Sequence, residues 1–181
     1  MTVVLLAAGR SSRTSVMKPL YRVDGEYLIN RQIRQLRSYG YEVAVVLGHA
    51  YERITAVLPD GVKVVRNEAY GEGMFSSIKR AFEVLDAPEL YFCQVDRPVP
   101  DKRVFEALAR SESPVATAFF GGHRTPPQRI SAAMKSDLLA SDAGRLDVWI
   151  EATGIAEAVA VDDPKVALNA NTDEQLGRIF G

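Results

Sequence analysis

Soft metal ligands are nearly absent from this chain. One cysteine and two histidines among 181 residues are too few for a disulfide framework or a structural zinc cluster. A lone thiol suits a reducing cytoplasm, which is the expected location. No apolar run approaches the ~18 residues that suggest a spanning helix, and the N-terminus lacks the basic stretch, apolar core and cleavage site of a secretory leader. No membrane partner is expected. Charge of one sign is scarce as well: 22 Lys plus Arg stand against 23 Asp plus Glu, for a net charge of -1. That balance argues against nucleic acid, which demands a broad basic face. Two common phosphate signatures are also missing, since neither G-x-x-x-x-G-K-[ST] nor a strand followed by G-x-G-x-x-G occurs. Kinase, GTPase and nicotinamide-dependent oxidoreductase readings weaken accordingly.

Apolar material is plentiful. With 47% hydrophobic and 25% charged residues, the chain is able to build a full core, and its length suits a single domain spanning 1–181. Residues 3–8, 42–48, 62–65, 90–95 and 114–119 are short and rich in Val, Leu, Tyr and Phe, the pattern of largely buried strands. Between them, Ile29, Ile33 and Leu36 recur at helical spacing, as do Met74, Ile78 and Ala81 with Phe82 and Leu85. Asp101 is placed to cap a helix through Phe105 and Leu108. Residues 121–127, with two Gly and two Pro, read as a loop. Residues 134–139 and 145–152 read as helical, 158–161 as a strand. Thr172 to Gln175 has the spacing of a capping box opening a last helix. Strands alternating with helices imply an α/β fold, a Rossmann-like three-layer sandwich with a mostly parallel sheet.

The chemistry concentrates where the first strand ends. In parallel α/β sheets ligands bind beyond the carboxyl ends of strands, and there the chain runs Ala7, Ala8, Gly9, Arg10, Ser11, Ser12, Arg13. Gly9 permits close backbone approach, and Ser11 and Ser12 offer small hydroxyl donors. Arg10, Arg13 and Lys18 bring three cations into an otherwise neutral chain. Together they suggest a local anion site fitted to a polyphosphate; a solvated basic loop is the plainer alternative.

The stretch Leu6-Ala-Ala-Gly-Arg-Ser-Ser-Arg13, followed after four residues by Lys18-Pro-Leu20, resembles the L-A-[AG]-G-x-x-x-R-M-G-x-x-K-x-L signature of nucleotidyltransferases related to the molybdenum-cofactor guanylyl- and cytidylyltransferases. The likeness continues in Val46-Leu-Gly48, in Asn67 with Gly73-Met-Phe-Ser-Ser-Ile78, in Asp96-Arg-Pro98 and in Leu168-Asn-Ala-Asn-Thr172, in family order across nearly the whole chain. The resemblance implies a glycosyltransferase-A or nucleotidyltransferase type of sandwich. It also implies an enzyme in which a phosphorylated small-molecule acceptor attacks a nucleoside triphosphate and pyrophosphate departs, with Mg2+ as cofactor. An acceptor phosphate is already ionised at neutral pH, which accords with a chain so poor in histidine.

By the same resemblance Arg13 and Lys18 are the catalytic cations. Ala7, Ala8, Gly9, Arg10, Ser11, Ser12, Asn67, Gly73, Met74 and Ser77 form the nucleotide pocket, and Asp96 with Asn171 forms the metal site. Several positions admit a plainer structural reading. Ser76 and Ser77 serve equally as first-turn caps, Asp96 as a turn residue before Pro98, and Asn171 as turn chemistry beside the capping box, with Asn169 a weaker metal candidate. Trp149 reads as core and Cys93 as a small apolar strand residue. His123 reads as an exposed loop residue or an acceptor contact. Thr14 and Ser15 stand where relatives carry Met-Gly, so the loop's path is open to change if a left-handed residue is required there. Ala8 leans toward CTP, while the Asn-x-Asn-Thr ending leans toward GTP. The acceptor is a molybdopterin-type pterin phosphate or a sugar or alcohol phosphate. A non-catalytic nucleotide-binding protein is the alternative from another class, and oligomeric state is left open.

Overall fold

Alternation along the first strand explains the layering. In the computed structural model, which describes residues 1–181, strand β1 (Thr2–Leu6) sends Val4 and Leu6 to one apolar cluster and Val3 and Leu5 to another. Successive strand side chains point to opposite faces, so a strand apolar at every position needs cover on both sides. β2 (Arg22–Val23) and β3 (Glu26–Tyr27) form a small hairpin before helix α1 (Leu28–Ser38). β4 (Glu42–Leu47), α2 (Tyr51–Thr55), β5 (Lys63–Arg66), α3 (Met74–Val84), β6 (Glu89–Gln94) and α4 (Lys102–Ala109) follow. The chain closes with β7 (Val115–Phe120), β8 (His123–Ser131), α5 (Lys135–Ala140), α6 (Leu146–Thr153), β9 (Glu157–Ala160) and α7 (Asp173–Phe180).

The main sheet has seven strands in the order β5-β4-β1-β6-β8-β7-β9. β8 alone runs against its neighbours; the β5-β4, β4-β1, β1-β6 and β7-β9 pairs are parallel. One face is covered by α3, α5 and α6 through residues such as Ile78, Phe82, Leu138 and Trp149. The other is covered by α1, α2 and α4 through Ile29, Ile33, Ile54 and Phe105. The expected three-layer α/β sandwich is therefore the fold observed. No helix is long and apolar enough to cross a membrane.

Local chemistry sets the ends of elements. Asp101 caps α4 as expected, its carboxylate accepting from the Arg103 N–H at 2.9 Å. Thr172 caps α7 by accepting from the Gln175 N–H at 3.3 Å. The reciprocal half of the expected capping box is displaced by one residue: Gln175 Oε1 accepts from the Asn171 N–H, 2.7 Å away, rather than from the cap residue itself. Trp149 is core as expected, with its indole N–H donating to Asp137 at 2.8 Å. Cys93 is likewise buried, and burial pushes its thiol up to about 12, so it is inert as a nucleophile near neutral pH.

Residues 121–127 are not the expected loop. Gly121 and Gly122 take φ of 58° and 84°, the left-handed pair that closes a two-residue hairpin, and β8 begins at His123. The prolines mislead because they sit inside the strand. Pairing with β7 jumps from Thr117↔Gln128 to Ala118↔Thr125, so the ladder bulges around Pro126 and Pro127, which have no N–H to give it. The β2-β3 hairpin was also unforeseen, although Asp24 and Gly25, at φ 50° and 83°, are a common turn pair.

Phe105 is fully buried and packs within 5.3 to 6.5 Å of the Tyr39, Tyr41 and Tyr91 rings. Replacing it by alanine leaves a cavity that these rings cannot fill. Phe105→Ala should lower the free energy of unfolding by about 3–5 kcal/mol, read as an earlier midpoint in urea melts at unchanged slope.

Candidate nucleotide-binding site

The parallel β1-β6 pairing places Leu6 opposite Gln94, so both strands run out at the same edge of the sheet. A crevice of about 240 Å³ opens there. Ala7, Ala8, Gly9 and Ser11 line it from the β1 side, Gln94, Val95 and Asp96 from the β6 side, and Lys18 and Pro19 from the end of the opening loop. Gly73, Met74 and Ser77 line it from the start of α3, with Tyr70 just before them. That helix start contributes unpaired backbone N–H groups and the positive end of its dipole, both suited to an anion. Gly9 has nothing within 4 Å of where a Cβ would stand, so its open side belongs to the crevice.

Lys18 and Asp96 meet in the lining of this space, while the exposed Arg13 and the half-buried Asn171 lie just outside the lining and reach it through Lys18. Lys18 is 7% exposed and its ammonium lies 2.8 Å from Asp96 Oδ2. Asn171 Oδ1 accepts from Arg13 Nη2 at 2.9 Å and from Lys18 Nζ at 3.5 Å. A buried ammonium is costly unless paired, and the Asp96 carboxylate supplies the pairing. Arg97, next along, crosses to Gln94 and to the Val166 and Leu168 carbonyls. Burial lowers its pKa from the usual arginine range, and the Asp96 charge pulls it back upward.

The opening loop holds itself in shape. Ser11 takes φ 53°, and its carbonyl accepts from the Thr14 N–H at 3.1 Å. The Ser11 hydroxyl accepts from the Lys18 N–H at 3.0 Å, and the Thr14 hydroxyl reaches the Val16 carbonyl at 2.7 Å. Ser15 is not among the residues with positive φ. The missing glycine at that position therefore imposes no left-handed strain, and Thr14 adds a hydrogen bond that methionine lacks the group to make.

Other expected site residues stand apart from the crevice. Arg10 is exposed, its guanidinium 5.7 Å from the Tyr70 ring centroid, and Ser12 is exposed outside the lining. Asn67 is 2% exposed and spends both amide hydrogens on the Ser76 and Ser77 hydroxyls, each 2.9 Å away. It shapes the start of α3 from behind rather than touching the open space. The two serines are thereby engaged within the protein, and Ser76 also donates to the Gly73 carbonyl at 2.8 Å. Asn169 Oδ1 is buried without a hydrogen-bond partner and is not part of the crevice lining.

Tyr70 and Gln94 line the crevice and were not anticipated. Gln94 was legible in principle, lying two residues before Asp96 at the end of a strand. Tyr70 carries no local signal. Its place depends on Gly48, where a Cβ would fall 2.5 Å from Tyr70 Cβ.

A second cavity, of about 660 Å³, adjoins the crevice and shares Gly73 and Met74 with it. Phe75, Phe119 and Ile150 give it an apolar floor, Arg124, Arg145, Asp147 and Glu151 give it charge, and His123 adds an imidazole. His123 thus lines this cavity from the first position of β8.

No group of three or more His, Cys, Asp or Glu side chains is placed to hold a metal ion. The oxygen donors present are Asp96 and Asn171. Asp96 Oδ1 accepts no hydrogen bond from the protein, since Lys18 engages only Oδ2. The free Asp96 oxygen suits a hard cation that keeps waters and phosphate oxygens in its shell, as magnesium does, whereas Asn171 Oδ1 is already engaged by Arg13 and Lys18 and joins a metal shell only if it gives up those bonds.

An α/β sheet with a cation-bearing, glycine-containing loop at the carboxyl edge of its central strand is an arrangement suited to a phosphate ligand. The chain belongs to the MobA-like NTP transferase domain family, whose model matches residues 3–158. Among curated proteins it is 28% identical over 127 residues to the 2-aminoethylphosphonate cytidylyltransferase of Lancefieldella rimae, covering 65% of this chain and 50% of that one. It is 38% identical over 74 residues to the bifunctional protein GlmU of Thermosipho africanus, covering 39% of this chain and 16% of that protein. The chain therefore spans half or less of these relatives. Among solved structures, a nucleotidyl transferase from Methanothermobacter superposes with a TM-score of 0.84 at 23% identity, covering 99% of this chain and 95% of that one. The manganese complex of Rv0371c from Mycobacterium tuberculosis gives 0.76 at 20%, with 99% and 97% covered. Molybdopterin-guanine dinucleotide biosynthesis protein A from Archaeoglobus fulgidus gives 0.77 at 15%, again with 99% and 97% covered. At these identities the solved structures speak for the fold alone.

Gly48→Ala tests the support of Tyr70. The added methyl must displace the ring, so triphosphate affinity should fall by about three- to ten-fold in titrations. Unchanged affinity would show that Tyr70 is a bystander.

Proposed function

We propose that this protein is a nucleotidyltransferase that moves a nucleoside monophosphate onto a phosphorylated small molecule. The observation that carries the reading is the Lys18–Asp96 pair at 2.8 Å. It sets a cation and a metal-ready carboxylate face to face in a crevice that family membership associates with nucleoside triphosphates. In the proposed reaction an oxygen of the acceptor phosphate forms a bond to the α-phosphorus. The bond from that phosphorus to the bridging oxygen breaks, and its electron pair leaves with pyrophosphate. The nucleophile arrives deprotonated, so no side chain need act as a base.

Residues 7–12 and the start of α3 wrap the nucleotide in this scheme, Lys18 neutralises charge that builds on the α-phosphate oxygens, and Arg13 stabilises the leaving pyrophosphate. Asp96 and Asn171 are the residues that would hold Mg2+. The bound ion would screen the triphosphate and polarise its phosphorus–oxygen bonds. The acceptor belongs in the adjoining cavity, which shares Gly73 and Met74 with the crevice. CTP is the favoured donor, on Ala8 and on the cytidylyltransferase relative, with GTP second. The acceptor is a molybdopterin-type pterin phosphate or a sugar or alcohol phosphate, and the cytoplasm is the proposed location.

Thermal unfolding with CTP, GTP, ATP and UTP, each with and without Mg2+, tests the donor. A ligand at a hundred times its dissociation constant should stabilise the protein by about 2.7 kcal/mol, and the shift should disappear in Asp96→Ala. With the donor so named, pyrophosphate release in the presence of phosphorylated acceptors should fall by about 10²–10³ in Lys18→Ala. A shift with no pyrophosphate from any acceptor would favour a nucleotide-binding protein without transferase activity.

A further inference from the structure

The loop and turn that form the crevice are tied down by a part of the chain that lies beyond the family match, which ends at residue 158. Four tethers run from residues 170–173 to the site. The Ala170 N–H donates to the Asp96 carbonyl at 2.8 Å. Asn171 Oδ1 gathers Arg13 and Lys18 at 2.9 and 3.5 Å. The Ser15 N–H points between the two oxygens of Asp173, at 3.0 and 3.1 Å. This last contact holds the opening loop midway between Arg13 and Lys18.

We propose that Asp173 is a positioning residue for the triphosphate loop, and that residues 170–175 act as a strap fixing Arg13 and Lys18 where a triphosphate meets them. The proposal rests on the nucleotidyltransferase reading for what the loop binds, and on geometry alone for the strap itself. Asp173 is exposed at the first position of α7, and its carboxylate accepts only from Ser15. It touches neither the crevice lining nor the Lys18–Asp96 pair, so its role is to orient rather than to react. Gln175 steadies the strap in turn by accepting from the Asn171 N–H at 2.7 Å. The loop's internal hydrogen bonds set its own turn, and the strap ties that turn to the body of the fold; without the tie a triphosphate would have to supply that ordering on binding.

The test compares Asp173→Ala with Asp173→Asn, which retains an oxygen able to accept from Ser15. Hydrogen exchange at the Ser15 amide needs no substrate. It should quicken by about ten-fold or more in Asp173→Ala, as expected for loss of a charge-assisted bond, and return most of the way in Asp173→Asn. In steady-state assays Asp173→Ala should raise KM for the triphosphate by about five- to twenty-fold and leave KM for the acceptor within two-fold. The melting temperature should change little, because Thr172 still caps α7. Ser15 exchange unchanged in Asp173→Ala would overturn the strap. So would a KM change shared equally by both substrates, or an Asp173→Asn variant as impaired as the alanine. If the wild-type protein releases no pyrophosphate from any nucleotide, the transferase reading fails, while Ser15 exchange still decides the strap.

Discussion

Parallel pairing between β1 and β6 is the constraint on which the site depends. Both strands end at one edge of the sheet with Leu6 beside Gln94, so a loop leaving β1 and a carboxylate leaving β6 have to meet. Lys18 and Asp96 are seventy-eight positions apart in sequence yet 2.8 Å apart in space. The pair solves two problems together: it compensates the cost of burying an ammonium, and it fixes the far end of an otherwise irregular loop to the turn that leaves β6. Loops that carry chemistry gain precision only from what anchors them, and here the anchor sits two residues past the end of a central strand covered on both faces.

The final third of the chain has two tasks. α5 and α6 cover the sheet, with Leu138, Trp149 and Ile150 in the same apolar cluster as Phe75 and Ile78 of α3. The stretch from Asp163 onward then returns along the site edge of the sheet. Asp163 accepts from the Asp101 N–H at 2.7 Å, and Arg97 donates to the carbonyls of Val166 and Leu168 at 3.2 Å each. These bonds deliver Asn171 and Asp173 to the opening loop. α7 is held by a separate small cluster of Val23, Leu28, Ala170 and Leu176, which explains a use for the β2-β3 hairpin: Val23 supplies part of the surface against which that helix packs.

Much of the architecture was legible because it is governed by local pattern. Continuous apolar runs at residues 3–8 and 42–48 announced doubly covered strands, and apolar spacing placed α1 and α3. Misreadings arose where two rules met. At residues 121–127 the glycines did mark a turn, but the prolines beside them were tolerated in β8 by a bulge that only the pairing with β7 reveals. At residues 172–175 the cap residue was correct, yet the glutamine reached one residue further back, because the Asn171 N–H is the donor that the approach of the chain presents to it. Asn67 was rightly linked to α3, but its burial and three internal hydrogen bonds turn it into scaffold.

The sequence by itself determined the layered α/β class, the position of the cation-bearing loop and the family to which the chain is similar, since each is written in contiguous residues or in their periodicity. Tertiary structure alone decided that Asp96 faces Lys18, that Tyr70 rests on Gly48, that a second cavity adjoins the first, and that Asp173 holds Ser15. Those four facts join residues far apart along the chain. Periodicity tells which face of an element is buried, but only the sheet order and its register tell what that face, or that strand end, will meet.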